Sequence, residues 1–111
     1  MPDFERGDVV RVPFPYTDRN TRQHRPALVV SNGPLGESNR LLWVVMITSA
    51  ENRRWAEDVP LDEDYAAAGL PAPSLIRPVK IATIDAAVAK KLGRIDPDRL
   101  ARAMQSVRAK L

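Results

Sequence analysis

The sequence predicts a mainly β fold, a small and strongly bent barrel with short helices packed on its outside, and three observations carry that expectation. Apolar, β-branched runs recur around 9–14, 27–30, 41–48 and 74–84, divided by turn residues. A sustained helical pattern occurs at the end, over 96–111. No repeat, low-complexity stretch or linker interrupts this order, so the 111 residues, 44% of them hydrophobic, are expected to form one domain over 1–111. That is enough chain to bury a single core without covalent staples.

Each element has its own local reason. Gly7-Asp8 is a turn signal, and Val9, Val10, Val12 and Phe14 make a strand that Pro13 and Pro15 confine to an edge or a bend. A polar, cation-rich loop follows and ends on Arg25-Pro26. Residues 27–30 are wholly apolar and read as a buried strand; the turn cluster GPLGESN then leads into LLWVVMIT, which makes a hairpin. Trp43 alternates with Val44 on that strand and is expected in the core. Residues 49–57 form a polar loop with Arg53, Arg54 and Trp55, followed by a short extended piece at 58–61. Asp62 is expected to cap one or two turns of helix closed by Gly69. SLIRPVKIATI reads as one strand, or as two interrupted at Pro78. Residues 85–91 are expected to form a short helix stopped by Gly93. Finally, Asp96 caps and Pro97 opens a helix whose stripe is Leu100, Met104, Val107 and Leu111. That stripe faces either the chain's own core or a partner.

Composition removes several classes of function. There is no cysteine, which excludes disulfides, thiolate metal sites and thiol nucleophiles, and one histidine argues against a histidine-cluster metal site. No metal or cofactor is expected. The first residues are polar and lack the apolar core of a signal peptide, and the longest apolar run, 41–47, is far too short to cross a bilayer. A cytoplasmic protein is the expectation. The net charge of +3 hides an asymmetry, with 8 Lys/Arg against 11 Asp/Glu in 1–74 and 9 against 3 in 75–111. Such a split suits a polyanionic partner or merely a soluble surface.

Five segments in order, RGDVVRVPFPYTD, HRPALVVS, the apolar strand ending in Thr48-Ser49, IRPVKIATID and KKLGRIDPDRL, make the chain resemble the MazF/PemK family of toxin endoribonucleases from about Arg6 to Leu111. The resemblance implies an SH3-like barrel, a homodimer, metal-independent cleavage of single-stranded RNA, and neutralisation by a cognate antitoxin whose disordered tail lies across the dimer. It maps a catalytic pair onto Arg25 and Thr48. His24, Ser49, Arg53, Arg54, Arg77, Lys80, Thr17 and Arg22 are the further candidates for holding or supporting RNA.

The residue chemistry agrees with that mapping. Metal-free cleavage needs help for the attacking 2′-hydroxyl, a donor for the leaving 5′-oxygen and cations for the charge on the phosphoryl oxygens. Arg25, where a loop meets a buried strand, offers two parallel donors, and Thr48 offers a hydroxyl at a rigid strand end. Arginine is a poor proton donor, so electrostatic stabilisation is the role expected of Arg25.

Each candidate also has a structural reading. Arg25 can pair with Asp18 or another loop carboxylate; Thr48 is an ordinary strand residue; His24 can assist proton transfer or face solvent. Trp55 can stack on a base or pack its loop onto the barrel. Some relatives carry a catalytic Arg-x-Asp where this chain has Arg77 and Val79, so a carboxylate base is missing there. Either the Arg25/Thr48 branch applies, with Arg77 and Lys80 holding RNA, or the enzyme is slow or inactive. The loop 18–24 also lacks the relatives' usual sequence, so RNA preference does not carry over. A non-catalytic barrel acting through protein contacts in the manner of a gyrase poison, or one that only binds RNA, is the alternative.

Overall fold

The computed structural model describes residues 4–13 and 24–111, and its strands run β1 Asp8–Pro13, β2 His24–Val29, β3 Leu41–Ser49, β4 Val59–Leu61, β5 Ser74–Asp85 and β6 Lys90–Arg94, before helix α1 Pro97–Arg108. They form one antiparallel sheet in the order β4-β5-β3-β2-β1-β6, curled into a half-barrel. The mainly β expectation therefore holds. The hairpin between the buried strand and LLWVVMIT holds as well, with Ala27 opposite Met46 and Val29 opposite Val44.

The period of two along each strand builds two cores, one on each face of the sheet. Val9, Leu28, Val45, Ile47 and Ile76 lie on the face covered by Ala103, Met104 and Val107 of α1. Val10, Val12, Ala27, Val29, Val44 and Met46 lie on the other, closed at one end by Phe4, Ile84 and Ala89. β2 and β3 are thus buried on both sides, which is why their sequences are continuous apolar runs. Each fully buried Leu or Val stabilises the fold by about 1.5–3 kcal/mol. Helix α1 starts as expected: Asp96 accepts a hydrogen bond from the Arg99 amide at 3.0 Å, and Pro97 takes the first position. Its apolar stripe packs on its own sheet, apart from Leu111, which is 88% exposed.

Three expectations need correction, and one open alternative is decided. Residues 62–69 form successive turns rather than a helix, with Leu70 N donating to the Tyr65 carbonyl at 2.9 Å. Nucleating so short a helix is unfavourable, and packing decides instead: Gly69, at φ +83°, is pressed onto β6, where a Cβ would come within 2.1 Å of the Leu92 carbonyl oxygen. Residues 85–91 hold only a single 3-10 turn, Ala86–Val88, and the chain then enters β6, with Gly93 inside the strand. The free edge of β1 claims these residues, and the fully buried Asp8 fixes the join by accepting from Arg94 Nη1 at 2.7 Å. Of the two readings of 74–84 the single strand is the one formed, β5, with a pairing shift: Val45 faces Ile81 whereas Met46 faces Arg77, so Pro78, Val79 and Lys80 bulge between them. Trp43 is 47% exposed, because it shares the α1 face of β3 but sits beyond the part that the helix covers.

Candidate active site

The register of β2 on β3, continued two residues past Ala27 and Met46, brings Arg25 opposite Thr48. Residues directly opposite in an antiparallel pair project from the same face. On β1 Val12 is opposite Arg25, and on β5 Leu75 is opposite Thr48 and Arg77 opposite Met46, so all belong to the same face. That face is apolar at the Phe4 end and becomes polar at this one. Arg25 is half-buried, whereas Thr48 is 6% exposed.

The loop after β3 completes the arrangement. Asn52 Nδ2 donates to Thr48 Oγ1 at 2.6 Å, and the Asn52 amide donates to the Ser49 carbonyl at 3.0 Å. Exposed Ser49 turns its hydroxyl to accept from the Glu51 amide at 3.2 Å. With one Oγ1 lone pair taken by Asn52, the Thr48 hydroxyl keeps its proton to donate.

Beneath the loop lies Arg77. Its Nη2 donates to Asp58 Oδ2 at 2.9 Å and to the Arg53 carbonyl at 2.8 Å, and its Nε reaches Asp58 Oδ1 at 3.2 Å. Asp58 Oδ2 also accepts from the Trp55 amide at 2.8 Å. The guanidinium carbon lies 3.8 Å from the Trp55 ring centre, and Lys80 Nζ lies 5.4 Å from it. Of the two readings of Trp55, the structure has the ring packing its loop onto the barrel. The side chains of Arg77 and Asp58 are only 8% and 1% exposed, so the pair is a clamp holding 53–58 against β5. A carboxylate does stand beside Arg77, delivered by Asp58 from another element, but its oxygens already accept from Arg77 and from the Trp55 amide.

Farther out, Arg53 and Arg54 are exposed on the loop and make no ion pair among the described residues. Glu57 ties the loop to α1, accepting from Ser106 Oγ at 2.5 Å and from Lys110 Nζ. Those two donors, Lys110 foremost, hold its carboxyl below the ordinary carboxylate value. His24 is separated from Arg25: consecutive strand residues project from opposite faces, and His24 is exposed opposite Pro13. Thr17 and Arg22 lie outside the described residues. Among the described residues no three His, Cys, Asp or Glu side chains converge as a metal site, and no helix is long and apolar enough to cross a membrane.

Sequence reasoning missed Asn52 and Asp58. Asn52 carries a weak signal, a donor side chain four residues beyond Thr48 in a polar loop. Asp58 carries none, because its partner is 19 residues away on another strand.

Fold and site together define a class of protein, an antiparallel half-barrel with a C-terminal helix, with arginine and threonine facing each other across neighbouring strands at its polar end. The profile of the PemK-like, MazF-like toxins of type II toxin–antitoxin systems matches residues 5–111, and the chain belongs to that family. Among solved structures it is similar to a chain of the MazE–MazF complex (Form-II) from Deinococcus radiodurans, at 20% identity and TM-score 0.76, covering 99% of this chain and 96% of that one. It is also similar to MazF (Form-I) from the same organism, at 17% identity and TM-score 0.74, covering 99% and 97%. A third is an endoribonuclease in complex with its cognate antitoxin from a mycobacterial species, at 19% identity and TM-score 0.70, covering 99% and 93%. At these identities the likeness is one of fold. No curated protein matches the chain.

Proposed function

We propose that this toxin is a metal-independent, sequence-specific endoribonuclease that cleaves single-stranded RNA in the cytoplasm, inhibiting translation and growth until a cognate antitoxin binds it. The observation that carries the reading is the β2–β3 register, which, continued from Ala27 and Met46, sets Arg25 opposite Thr48 and supports their acting on one ligand from neighbouring strands. In the reaction the RNA 2′-oxygen forms a bond to phosphorus, the P–O5′ bond breaks, and the products end in a 2′,3′-cyclic phosphate and a 5′-hydroxyl. The Arg25 guanidinium stabilises the charge on the phosphoryl oxygens, and Thr48, oriented by Asn52, donates toward the same group. With Asp58 engaged by Arg77, the 2′-proton passes to solvent and the leaving oxygen takes one from it. Arg53, Arg54, Ser49 and Lys80 line the approach to the phosphodiester chain, whereas Arg77 supports RNA through the loop that it clamps.

The test is incubation of purified protein with a long single-stranded RNA in EDTA, followed by sequencing of the ends. Discrete cuts leaving 5′-hydroxyl termini, absent in Arg25→Ala, support the enzyme. Intact RNA at high protein concentration overturns it and favours a barrel that acts by binding alone.

The protein acts as a homodimer in this reading. A groove of about 590 Å³ runs between the end of α1 and the sheet, and its lining includes Trp43 and Ile81, 47% and 48% exposed, together with Leu111. Such a continuous apolar surface suits a second copy. Light scattering should give twice the monomer mass, and Trp43→Glu should give a folded monomer.

A further inference from the structure

Outside the Arg25 face, the register gathers a second set of basic side chains. Arg11 of β1 is opposite Pro26 of β2 on one side and Lys90 of β6 on the other, and the next pair of β1 and β2 on the same face is Pro13 with His24. Arg11, His24 and Lys90 therefore come from three adjacent strands on the face opposite to Arg25. They line one groove of about 310 Å³, whose remaining wall is Ala87, Val88 and Ala89. Among the described residues no carboxylate lines it. Elsewhere in the molecule Arg77, Arg94, Arg99 and Lys110 each meet a carboxylate, but these three make no ion pair among the described residues. All three are exposed, and so is Val88, at 49%. The Arg11 and Lys90 cations, directly opposite each other and without a counter-charge among the described residues, repel one another, an arrangement that an anion relieves, and the His24 ring offers a hydrogen-bond partner beside them.

We propose that the Arg11–His24–Lys90 groove is a second phosphate site, holding the backbone of single-stranded RNA on the far side of β2 from the scissile group. The inference rests on the RNA reading above. His24 and Arg25 are consecutive, so an RNA chain rounding the end of β2 from the Arg25 face meets the groove. The three basic side chains line one groove instead of repeating at alternate positions along an edge, which suits a compact phosphate better than carboxylates spaced along a peptide. Exposed Val88 gives a ribose or base an apolar surface beside it.

The experiment measures binding of a 2′-O-methyl oligoribonucleotide of about 12 nucleotides, which is not cleaved, as a function of salt. The proteins are the wild type, Arg11→Gln/Lys90→Gln and a charge-matched control, Arg102→Gln/Arg108→Gln on α1. The groove variant should weaken binding at least tenfold at low salt and reduce the slope of log K against log salt by about 1.4, from about 0.7 per lost contact. The control should change neither as much. Equal effects in the two variants, or none in the groove variant, overturn the proposal. So does loss of polyglutamate binding with RNA binding intact, which assigns the groove to an acidic protein. Cleavage is measured separately on unmodified RNA, so a wild type that binds the methylated strand but leaves RNA uncut refutes the nuclease and leaves the groove standing.

Discussion

Two arginines on the same face of the sheet have opposite fates. Arg77 on β5 is buried, its donors directed to Asp58 and the Arg53 carbonyl and its plane against Trp55. Arg25 on β2 stands at a strand end, half-buried and opposite a hydroxyl. The difference teaches that a cation in a sheet position matching a family's catalytic one can serve stability, while the catalytic role proposed here falls to one two strands away. Burial decides it: a buried guanidinium must have partners to be tolerated at all, and those partners leave it little capacity for a ligand.

The largest effect expected from this contrast is on Arg77. Arg77→Ala leaves Asp58 buried without its partner and should cost about 3–5 kcal/mol, lowering Tm by roughly 12 °C or more. Arg77→Met/Asp58→Leu should recover most of that loss in the same thermal melt, since it removes both charges together. If the single variant melts like the wild type, the clamp is not what holds the loop. Arg25→Ala should do the reverse, reducing kcat by about 10²–10³ while Tm moves by no more than about 2 °C. A large loss of stability there would make Arg25 a second structural arginine and end the comparison.

Asn52 lies between the two. Asn52→Ala keeps the Arg77 clamp and frees the Thr48 hydroxyl to rotate, so kcat should fall roughly five-fold with KM unchanged. A rise in KM with constant kcat would instead mean that Asn52 touches RNA. The smallest effect belongs to Glu57, whose carboxyl is held below its ordinary value by Lys110 and Ser106. A depressed carboxylate contributes stability that is present above the unfolded value of 4.5 and is lost as pH falls through the folded one. The Tm advantage of the wild type over Glu57→Gln should therefore be constant at neutral pH and vanish below that value. An advantage that persists into acid would show that the tether does not depend on charge.

Much of the site was legible because its main residues close or open strands. Arg25 precedes a buried apolar run and Thr48 ends one, so the strand pattern fixed their rigidity and the family resemblance suggested their pairing. Asn52 and Asp58 escaped because a loop's hydrogen bonds are set by what the loop lands on. The missing carboxylate beside Arg77 was sought at Val79, on the same strand, whereas three dimensions supply Asp58 from the segment before β4. His24 was grouped with Arg25 by adjacency, and the pleat turns the two side chains apart.

By itself the sequence determined most of the strands and the capped terminal helix, because hydrophobic period and capping act over a few residues. The tertiary structure alone decided which runs joined the sheet, as when the free edge of β1 drew 90–94 into a strand against local helical signals. It likewise left Trp43 exposed, since the reach of α1 across the sheet depends on packing and not on spacing in β3. The burial that separates Arg77 from Arg25 is of the same kind, because desolvation is a property of everything surrounding a side chain and not of its neighbours in the chain.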